Sequence, residues 1–126
     1  MNKTPLYEIH KTSGAKMIDF SGWTMPVQYT SIIDEHKNTR EKASLFDICH
    51  MGEFYISGKD ALKFLQKLVS GDLTKIGIGK AKYVLLLNKN GGTIDDTIVF
   101  HTKENQYLMV VNAGNMGQDL CDWPVA

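Results

Sequence analysis

Three apolar runs with short turn signals between them, in residues 82–112, constrain the fold more than any other feature of this sequence. The first run, KYVLLLN, covers residues 82–88 and is followed by Asn90-Gly91, a pair typical of tight hairpin turns. Two further runs rich in β-branched residues cover 93–101 and 106–112. Runs this short, with so few residues between them, predict adjacent antiparallel strands.

The rest of the chain adds helices around these strands. Residues 53–57 form a fourth predicted strand, and residues 60–69 place leucines at helical spacing. From residue 53 the order is β-α-β-β-β-α with no closing strand, which predicts an α+β fold, an antiparallel sheet with helices on one face. The remaining predictions are helices over 5–12, 32–44 and 115–123, and an irregular segment over 15–30 broken at Pro26.

Composition excludes several classes of protein. Fourteen basic residues balance fourteen acidic ones, so a nucleic-acid partner has no electrostatic support. No apolar stretch could span a bilayer, and the first residues lack the apolar core of a signal peptide. Cys49 and Cys121 form no CxxC pair, which favours two reduced, partly buried thiols in a cytoplasmic protein.

Two adjacent aspartates, in the stretch GGTIDDTIVF, interrupt the second of the three strands. Side chains alternate between faces along a strand, so Asp95 shares a face with threonines, whereas Asp96 shares one with two isoleucines and a phenylalanine. We therefore expect Asp95 on the wetter face and Asp96 on the apolar one. Asp96 is either a buried carboxylate held by backbone amides or a basic side chain, or a carboxylate at the rim of a ligand pocket.

Two neighbouring strands favour the pocket. Asn112 ends the row Gln106, Leu108, Val110, and Tyr83 begins the row that Leu85 and Leu87 continue. An aspartate, an amide and a phenol among apolar residues are the usual composition of a small-molecule site. Each also has an ordinary structural role, because Asn112 could cap a helix and Tyr83 could pack in the core.

Other candidate motifs lead to no site. The segment 77–80, GIGK, completes neither a dinucleotide fingerprint nor a Walker A loop, and a strand follows it. The four histidines show no metal-ligand spacing, so no metal is expected. Cys49 and His50 are adjacent, but a nucleophile pair needs a third group that the sequence does not offer.

A family resemblance covers the chain from about residue 4 to residue 120. The segments that carry it are TPLYEIHKTSGAKMIDFSGWTMPVQY, SIIDEH, FDICHMGEF, LNKNGGTIDDTIVF and YLMVVNAGN. In this order they resemble the N-terminal part of aminomethyltransferase, the T-protein of the glycine cleavage system. The combination of GW-x-MP, HMGE, GG-x-x-DD and VVNA is more specific than any one of these pieces.

The resemblance implies a tetrahydrofolate-dependent transferase of glycine catabolism. Such enzymes take an aminomethyl group from lipoylated H-protein and give 5,10-methylenetetrahydrofolate and ammonia. The position that matches the family's essential acid is Asp96. The positions that match residues lining the folate pocket are Met51, Tyr83, Asp96 and Asn112. No metal, nucleic acid or membrane is implied.

The resemblance also implies that much of a whole family member has no counterpart here. Residues 1–50 correspond to part of a first domain, and residues 51–126 to an incomplete ferredoxin-like βαββ(β)α unit without its last strand. The ending DWPVA departs from the family pattern, so we expect a fragment that is inactive by itself. The alternatives are a non-catalytic folate-binding module of the iron–sulfur assembly type and a folate-dependent demethylase relative. GGTIDD argues against the first, and TPLYEIH with GWTMPVQY against the second.

Overall fold

A computed structural model describes residues 1–117 of the 126-residue chain. It divides into two units, one of Met1–His50 and one that begins at Met51. No helix in residues 1–117 has both the length and the apolar composition to cross a membrane.

The first unit contains a small three-stranded sheet and two helices. Strand β1 is Asn2–Lys3, β2 is Lys16–Phe20 and β3 is Trp23–Gln28, with β3 in the centre of the order β1-β3-β2. Helix α1 is Tyr7–Thr12 and helix α2 is Ile32–Glu41. The predicted start of α2 is confirmed, because the hydroxyl of Ser31 accepts a hydrogen bond from the Asp34 N–H at 3.1 Å.

The prediction of an irregular segment over 15–30 is wrong, because β2 and β3 form a hairpin. Ser21 and Gly22 have φ angles of 51° and 81°, the left-handed pair of a two-residue hairpin turn. Pro26 pairs with Met17. Counted from the closing pair Phe20–Trp23, Met17 and Pro26 form a pair without hydrogen bonds between them. The backbone nitrogen of Pro26, which carries no hydrogen, therefore faces away from β2. On that side β1 has already ended, since it pairs only with Trp23 and Thr24.

The second unit confirms the predicted α+β order. Strand β4 is Gly52–Ser57, helix α3 is Ala61–Leu68, β5 is Ala81–Leu87, β6 is Thr93–Lys103 and β7 is Gln106–Val111. The strands form one sheet in the order β4-β7-β6-β5, and each neighbouring pair is antiparallel. The predicted helix over 115–123 begins at residue 116, and most of its range lies outside the described residues.

The core of the second unit lies between α3 and one face of this sheet. Leu65 of α3 and Leu73 of the following loop are fully buried against side chains from three strands. Burying an aliphatic side chain of this kind stabilises the fold by about 1.5–3 kcal/mol. The strand residues of this core are Val84, Leu86, Val99, Tyr107, Met109 and Val111.

The opposite face of the sheet, here called the open face, carries exposed side chains in residues 1–117, and this reverses the expected positions of the two aspartates. Asp95 is 4% exposed on the face that α3 covers, whereas Asp96 is on the open face. Its apolar neighbours Ile98 and Phe100 are also exposed there. From Asp95 to Phe100 the pattern along β6 correctly separates the residues into two faces, whereas Ile94, at an irregularity of the pairing with β5, packs against the covered core. The pattern does not identify the covered face, because that is decided by the partner helix and by the rows Val84–Leu86 and Tyr107–Val111.

Candidate active site

Asp96 lies on the open face of β6 and accepts a hydrogen bond from a tyrosine of the neighbouring strand. Leu85 is the pairing partner of Asp96 in β5, so Tyr83, two residues before Leu85, lies diagonally across on the same face. The Tyr83 hydroxyl donates to Asp96 Oδ2 at 3.1 Å. This hydrogen bond is the main cause that raises the pKa of Tyr83 above its ordinary value.

Asn112 reaches Asp96 from the other side. Strand β7 pairs with β6 up to the pair Ile98–Val110, and the same register places Asn112 opposite Asp96, just after β7 ends. The Asn112 side-chain amide donates to Asp96 Oδ1 at 3.2 Å and to the Asp96 backbone oxygen at 2.9 Å. The carboxylate of Asp96 is therefore held by a phenol on one oxygen and by an amide on the other.

Asp95 is held on the covered side by three amide groups. Its Oδ1 accepts from the side-chain amides of Asn112 at 2.8 Å and Asn115 at 2.9 Å, and its Oδ2 accepts from the Asn112 backbone N–H at 3.1 Å. Burial by itself raises the pKa of Asp95, but these hydrogen bonds and one from the Asp96 backbone N–H outweigh it and hold the pKa below the ordinary value. Asp95 is thus a buried carboxylate that accepts hydrogen bonds from uncharged amide donors.

The sequence predicted four ligand-site residues, and the structure joins three of them by hydrogen bonds. Tyr83, Asp96 and Asn112 form one cluster. Met51 directly precedes β4, one residue beyond the pair Gly52–Val111, and so lies at the end of the sheet where Asn112 leaves β7. Met51 is half-buried. The roles predicted for these four residues stay predictions.

The chemistry available to Asp96 follows from its surroundings. An exposed carboxylate keeps lone pairs for a ligand even when one phenol and one amide already donate to it. Exposed apolar side chains on the same face, among them Leu87, Ile98 and Phe100, offer a surface for a flat aromatic ligand. The arrangement can accept a proton from a bound ligand, or stabilise a positive charge that develops on it.

A second polar network, which no sequence pattern predicted, lies in the first unit. His10 is buried, with its Nδ1 2.6 Å from the Tyr29 hydroxyl and its Nε2 2.8 Å from Asp47 Oδ2. Asp47 Oδ1 also accepts from the Cys49 backbone N–H at 2.9 Å. Burial raises the pKa of Asp47, but the hydrogen bonds from His10 and Cys49 outweigh it and hold this pKa well below its usual range. Cys49 itself is exposed, contrary to the expectation of a partly buried thiol.

The Asp95 network was missed as well, and one signal could have identified it. Asn115 follows three residues after Asn112, and its backbone N–H donates to the Asn112 oxygen at 3.1 Å, which closes a turn beneath β6. Two asparagines at this spacing directly after a strand are typical of such a turn. No comparable signal links His10 with Asp47, which are 37 residues apart.

Comparison with known proteins gives a consistent result. The family model described as the GCVT N-terminal domain matches residues 6–123. An aminomethyltransferase of Thermus thermophilus is 49% identical over 120 residues, which are 95% of this chain and 34% of that protein. An aminomethyltransferase of Caldanaerobacter subterraneus is 51% identical over 119 residues, which are 94% of this chain and 32% of that protein.

A solved structure gives the same picture. The crystal structure of glycine cleavage system aminomethyltransferase T from Bartonella henselae matches with a TM-score of 0.92 and 38% identity. The match covers 97% of this chain and 34% of that one. The chain therefore spans about a third of the length of the relatives that it matches.

Proposed function

Because the chain belongs to the GCVT N-terminal domain family, we propose that it carries the catalytic carboxylate of an aminomethyltransferase. The reaction transfers the aminomethyl carbon from lipoylated H-protein to tetrahydrofolate and gives 5,10-methylenetetrahydrofolate and ammonia. One observation carries the proposal. Asp96, with Tyr83 and Asn112 hydrogen-bonded to it, lies on an open apolar sheet face.

The role of Asp96 follows from the chemistry of tetrahydrofolate. An aryl amine nitrogen of this substrate is weakly basic and must form a bond to carbon while ammonia leaves. A carboxylate beside that nitrogen accepts its proton or stabilises the iminium cation that develops. Tyr83 and Asn112 hold the carboxylate without neutralising it, because both are uncharged donors.

The proposed binding surface for tetrahydrofolate is the end of the sheet around Asp96. Tyr83 and Asn112 contribute polar groups there, and Met51, which precedes β4 at the same end, contributes apolar surface. Most of a folate molecule is flat and aromatic, so the exposed apolar side chains of β6 suit it. The proposal includes the lipoylated H-protein as partner and the cytoplasmic location that the sequence favours.

The experiment that tests this proposal is calorimetric titration of tetrahydrofolate, under reducing conditions, into three forms of the 126-residue chain. These are the wild type, Asp96→Asn and Asp60→Asn. The control residue Asp60 precedes α3, is exposed and makes no side-chain capping hydrogen bond. Asp96→Asn keeps the shape and removes the charge, so we expect binding at least about tenfold weaker, the usual effect of losing a charged hydrogen-bond acceptor.

The outcomes of this titration separate clearly. Weaker binding by Asp96→Asn with unchanged binding by Asp60→Asn supports the proposal. Equal affinities for the wild type and Asp96→Asn contradict it. A folded wild-type chain that shows no saturable binding would mean that these residues do not hold tetrahydrofolate without further protein.

A further inference from the structure

The side chain of Asn112 is the link between the two adjacent aspartates. Its single amide nitrogen is 2.8 Å from Asp95 Oδ1, 2.9 Å from the Asp96 backbone oxygen and 3.2 Å from Asp96 Oδ1. Asp95 and Asp96 are on opposite faces of β6, so one amide group reaches both faces of the sheet. It can do so only because β7 ends at Val111 and leaves the edge of β6 open at this point.

The orientation of the Asn112 amide is fixed by chemistry. The three oxygens around its nitrogen are all acceptors, so only the NH₂ group can face them. A flipped amide would place its own oxygen against two carboxylates. The Asn112 backbone N–H also donates to Asp95 Oδ2 at 3.1 Å, so Asp95 holds Asn112 at two points.

Asp95 is itself fixed. It is 4% exposed, and the side chain of Asn115 donates to the same oxygen that accepts from the Asn112 side chain. A buried carboxylate that accepts from several amide donors cannot rotate without leaving at least one of them unpaired, which is unfavourable. The rigid residue of the pair is therefore Asp95, and the exposed one is Asp96.

We propose that Asp95 is a positioning residue that, through Asn112, fixes the carboxylate of Asp96 in the orientation that it presents on the open face. Asp95 does not contact the ligand. It holds the Asn112 amide, and that amide holds Asp96 Oδ1, while Tyr83 holds Oδ2. The value of this positioning for catalysis rests on the proposed function of Asp96.

A purely structural role for Asp95 predicts something different. As a cap for the turn 112–115, Asp95 would stabilise the chain but would not affect the carboxylate of Asp96. The two roles are separated by a measurement on Asp96 itself. Nuclear magnetic resonance of the labelled chain provides it, through the Asp96 carboxyl carbon and the side-chain amide protons of Asn112.

The experiment compares the wild type with Asp95→Asn and with the control Asp60→Asn. In Asp95→Asn we expect the Asn112 amide protons to exchange with solvent about tenfold faster, because a charged acceptor is lost. We also expect the Asp96 carboxyl resonance to move towards that of a solvated aspartate, for which exposed Asp60 in the wild type is the reference, while the hydrogen bond from Tyr83 remains. Asp60→Asn should leave both signals of the site unchanged. An Asp96 resonance that stays in place while the Asn112 signals change would overturn the proposal.

A second variant keeps the test valid if Asp95→Asn does not fold. Asn115→Ala removes one donor from Asp95 and substitutes neither Asn112 nor Asp96, so any change at Asp96 must pass through Asp95. We expect smaller movements of the Asn112 and Asp96 resonances in the same direction. A shift of the Asp95 carboxyl carbon with no shift at Asp96 would overturn the positioning role.

Tetrahydrofolate affinity separates this inference from the function on which it rests. If Asp95 acts through Asp96, Asp95→Asn weakens binding in the wild type but has little further effect in Asp96→Asn. Additive losses would overturn the positioning role. An affinity that Asp96→Asn does not change would contradict the proposed function, whereas the resonance test would still decide whether Asp95 positions Asp96.

Discussion

Asp47 in the first unit and Asp95 in the second are both buried carboxylates whose pKa is lowered by hydrogen bonds, but their partners differ in kind. Asp47 accepts from the imidazole of His10, which contacts the Tyr29 hydroxyl with its other nitrogen. Imidazole and hydroxyl groups can each exchange donor and acceptor roles. Asp95 accepts from a backbone N–H and two side-chain amides. A backbone N–H cannot change role. At Asp47 such a donor, the Cys49 N–H, faces one carboxylate oxygen and the imidazole faces the other, whereas both oxygens of Asp95 face amide donors. We therefore expect the first site to adapt to chemical change and the second not to.

The largest expected difference is the effect of replacing each aspartate by asparagine. In Asp47→Asn the new amide can donate to His10 Nε2 if the ring proton moves to Nδ1 and donates to Tyr29, so we expect a loss of about 1 kcal/mol or less in unfolding free energy. In Asp95→Asn the new amide must face either the backbone N–H or the fixed amide of Asn112. We therefore expect a loss of about 2–3 kcal/mol.

Urea denaturation followed residue by residue with nuclear magnetic resonance measures both losses, because each unit then reports its own unfolding. The control Asp60→Asn should change stability by less than about 0.5 kcal/mol. Equal losses at the two aspartates would show that the kind of partner does not matter.

Removing a tyrosine hydroxyl should give a smaller difference in unfolding free energy between the two units, and in the opposite direction. Tyr29→Phe leaves Nδ1 of buried His10 without its hydroxyl partner, and we expect a loss of about 1 kcal/mol in unfolding free energy. Tyr83→Phe removes a hydroxyl from an exposed cluster where water can replace it, so the expected change is below about 0.5 kcal/mol. Tyr55→Phe, on the same open face, is the matched control. A larger loss for Tyr83→Phe than for Tyr29→Phe would contradict this order.

The acid side of the stability curve tests what the two sites share. The pKa of each aspartate is lowered in the folded protein, so each contributes stability that is present above the unfolded value, about 4. This stability is lost as the pH falls below that value towards the lower folded pKa. We therefore expect the unfolding free energy of the wild type to fall between about pH 5 and pH 3, and to fall less steeply in Asp47→Asn and Asp95→Asn. Urea titrations at several pH values measure the slopes, and unchanged slopes would refute the assignment.

The smallest expected effect is a change in the pKa values of Tyr83 and Tyr29. The pKa of Tyr83 is raised mainly by its hydrogen bond to Asp96, whereas burial is the main cause of the raised pKa of Tyr29, ahead of the charge of Asp47. Asp96→Asn should therefore return the pKa of Tyr83 most of the way to its ordinary value. Asp47→Asn should lower the pKa of Tyr29 only in part. Titration of the tyrosine ring carbons measures both, and a complete return at Tyr29 would show that charge outweighs burial there.

The strands of the second unit could be predicted because local signals agree with the final fold. The turn residues after Leu87 and the alternation in residues 93–112 identify three strands, and the structure confirms them. The hairpin of the first unit could not be predicted in this way, because β3 contains Pro26 and a proline usually ends a strand. Its place in the hairpin depends on how far β1 extends along β3, and the sequence of β3 does not contain that information.

The candidate site could be predicted in part for a similar reason. Alternation along a strand shows that Tyr83, Asp96 and Asn112 share a face, and they do meet. It does not show which face a helix will cover, because both faces of β6 carry apolar side chains. Nor could it predict that Asn112 also contacts Asp95, since that contact exists only where β7 ends and one side chain can pass the edge of the sheet.

The hairpin between β6 and β7 also fixes how many residues separate Asp96 from Asn112. A register shift between His101 and Lys103 and the short turn before Gln106 set the pairing that places Asn112 beside Asp96, sixteen residues away. An insertion or deletion that moved this pairing by one residue would exchange the two faces of β7. Among homologous sequences, keeping both the acid and the amide is therefore not sufficient. The number of residues between them must be kept as well, and this spacing is a criterion for recognising the same site in distant relatives.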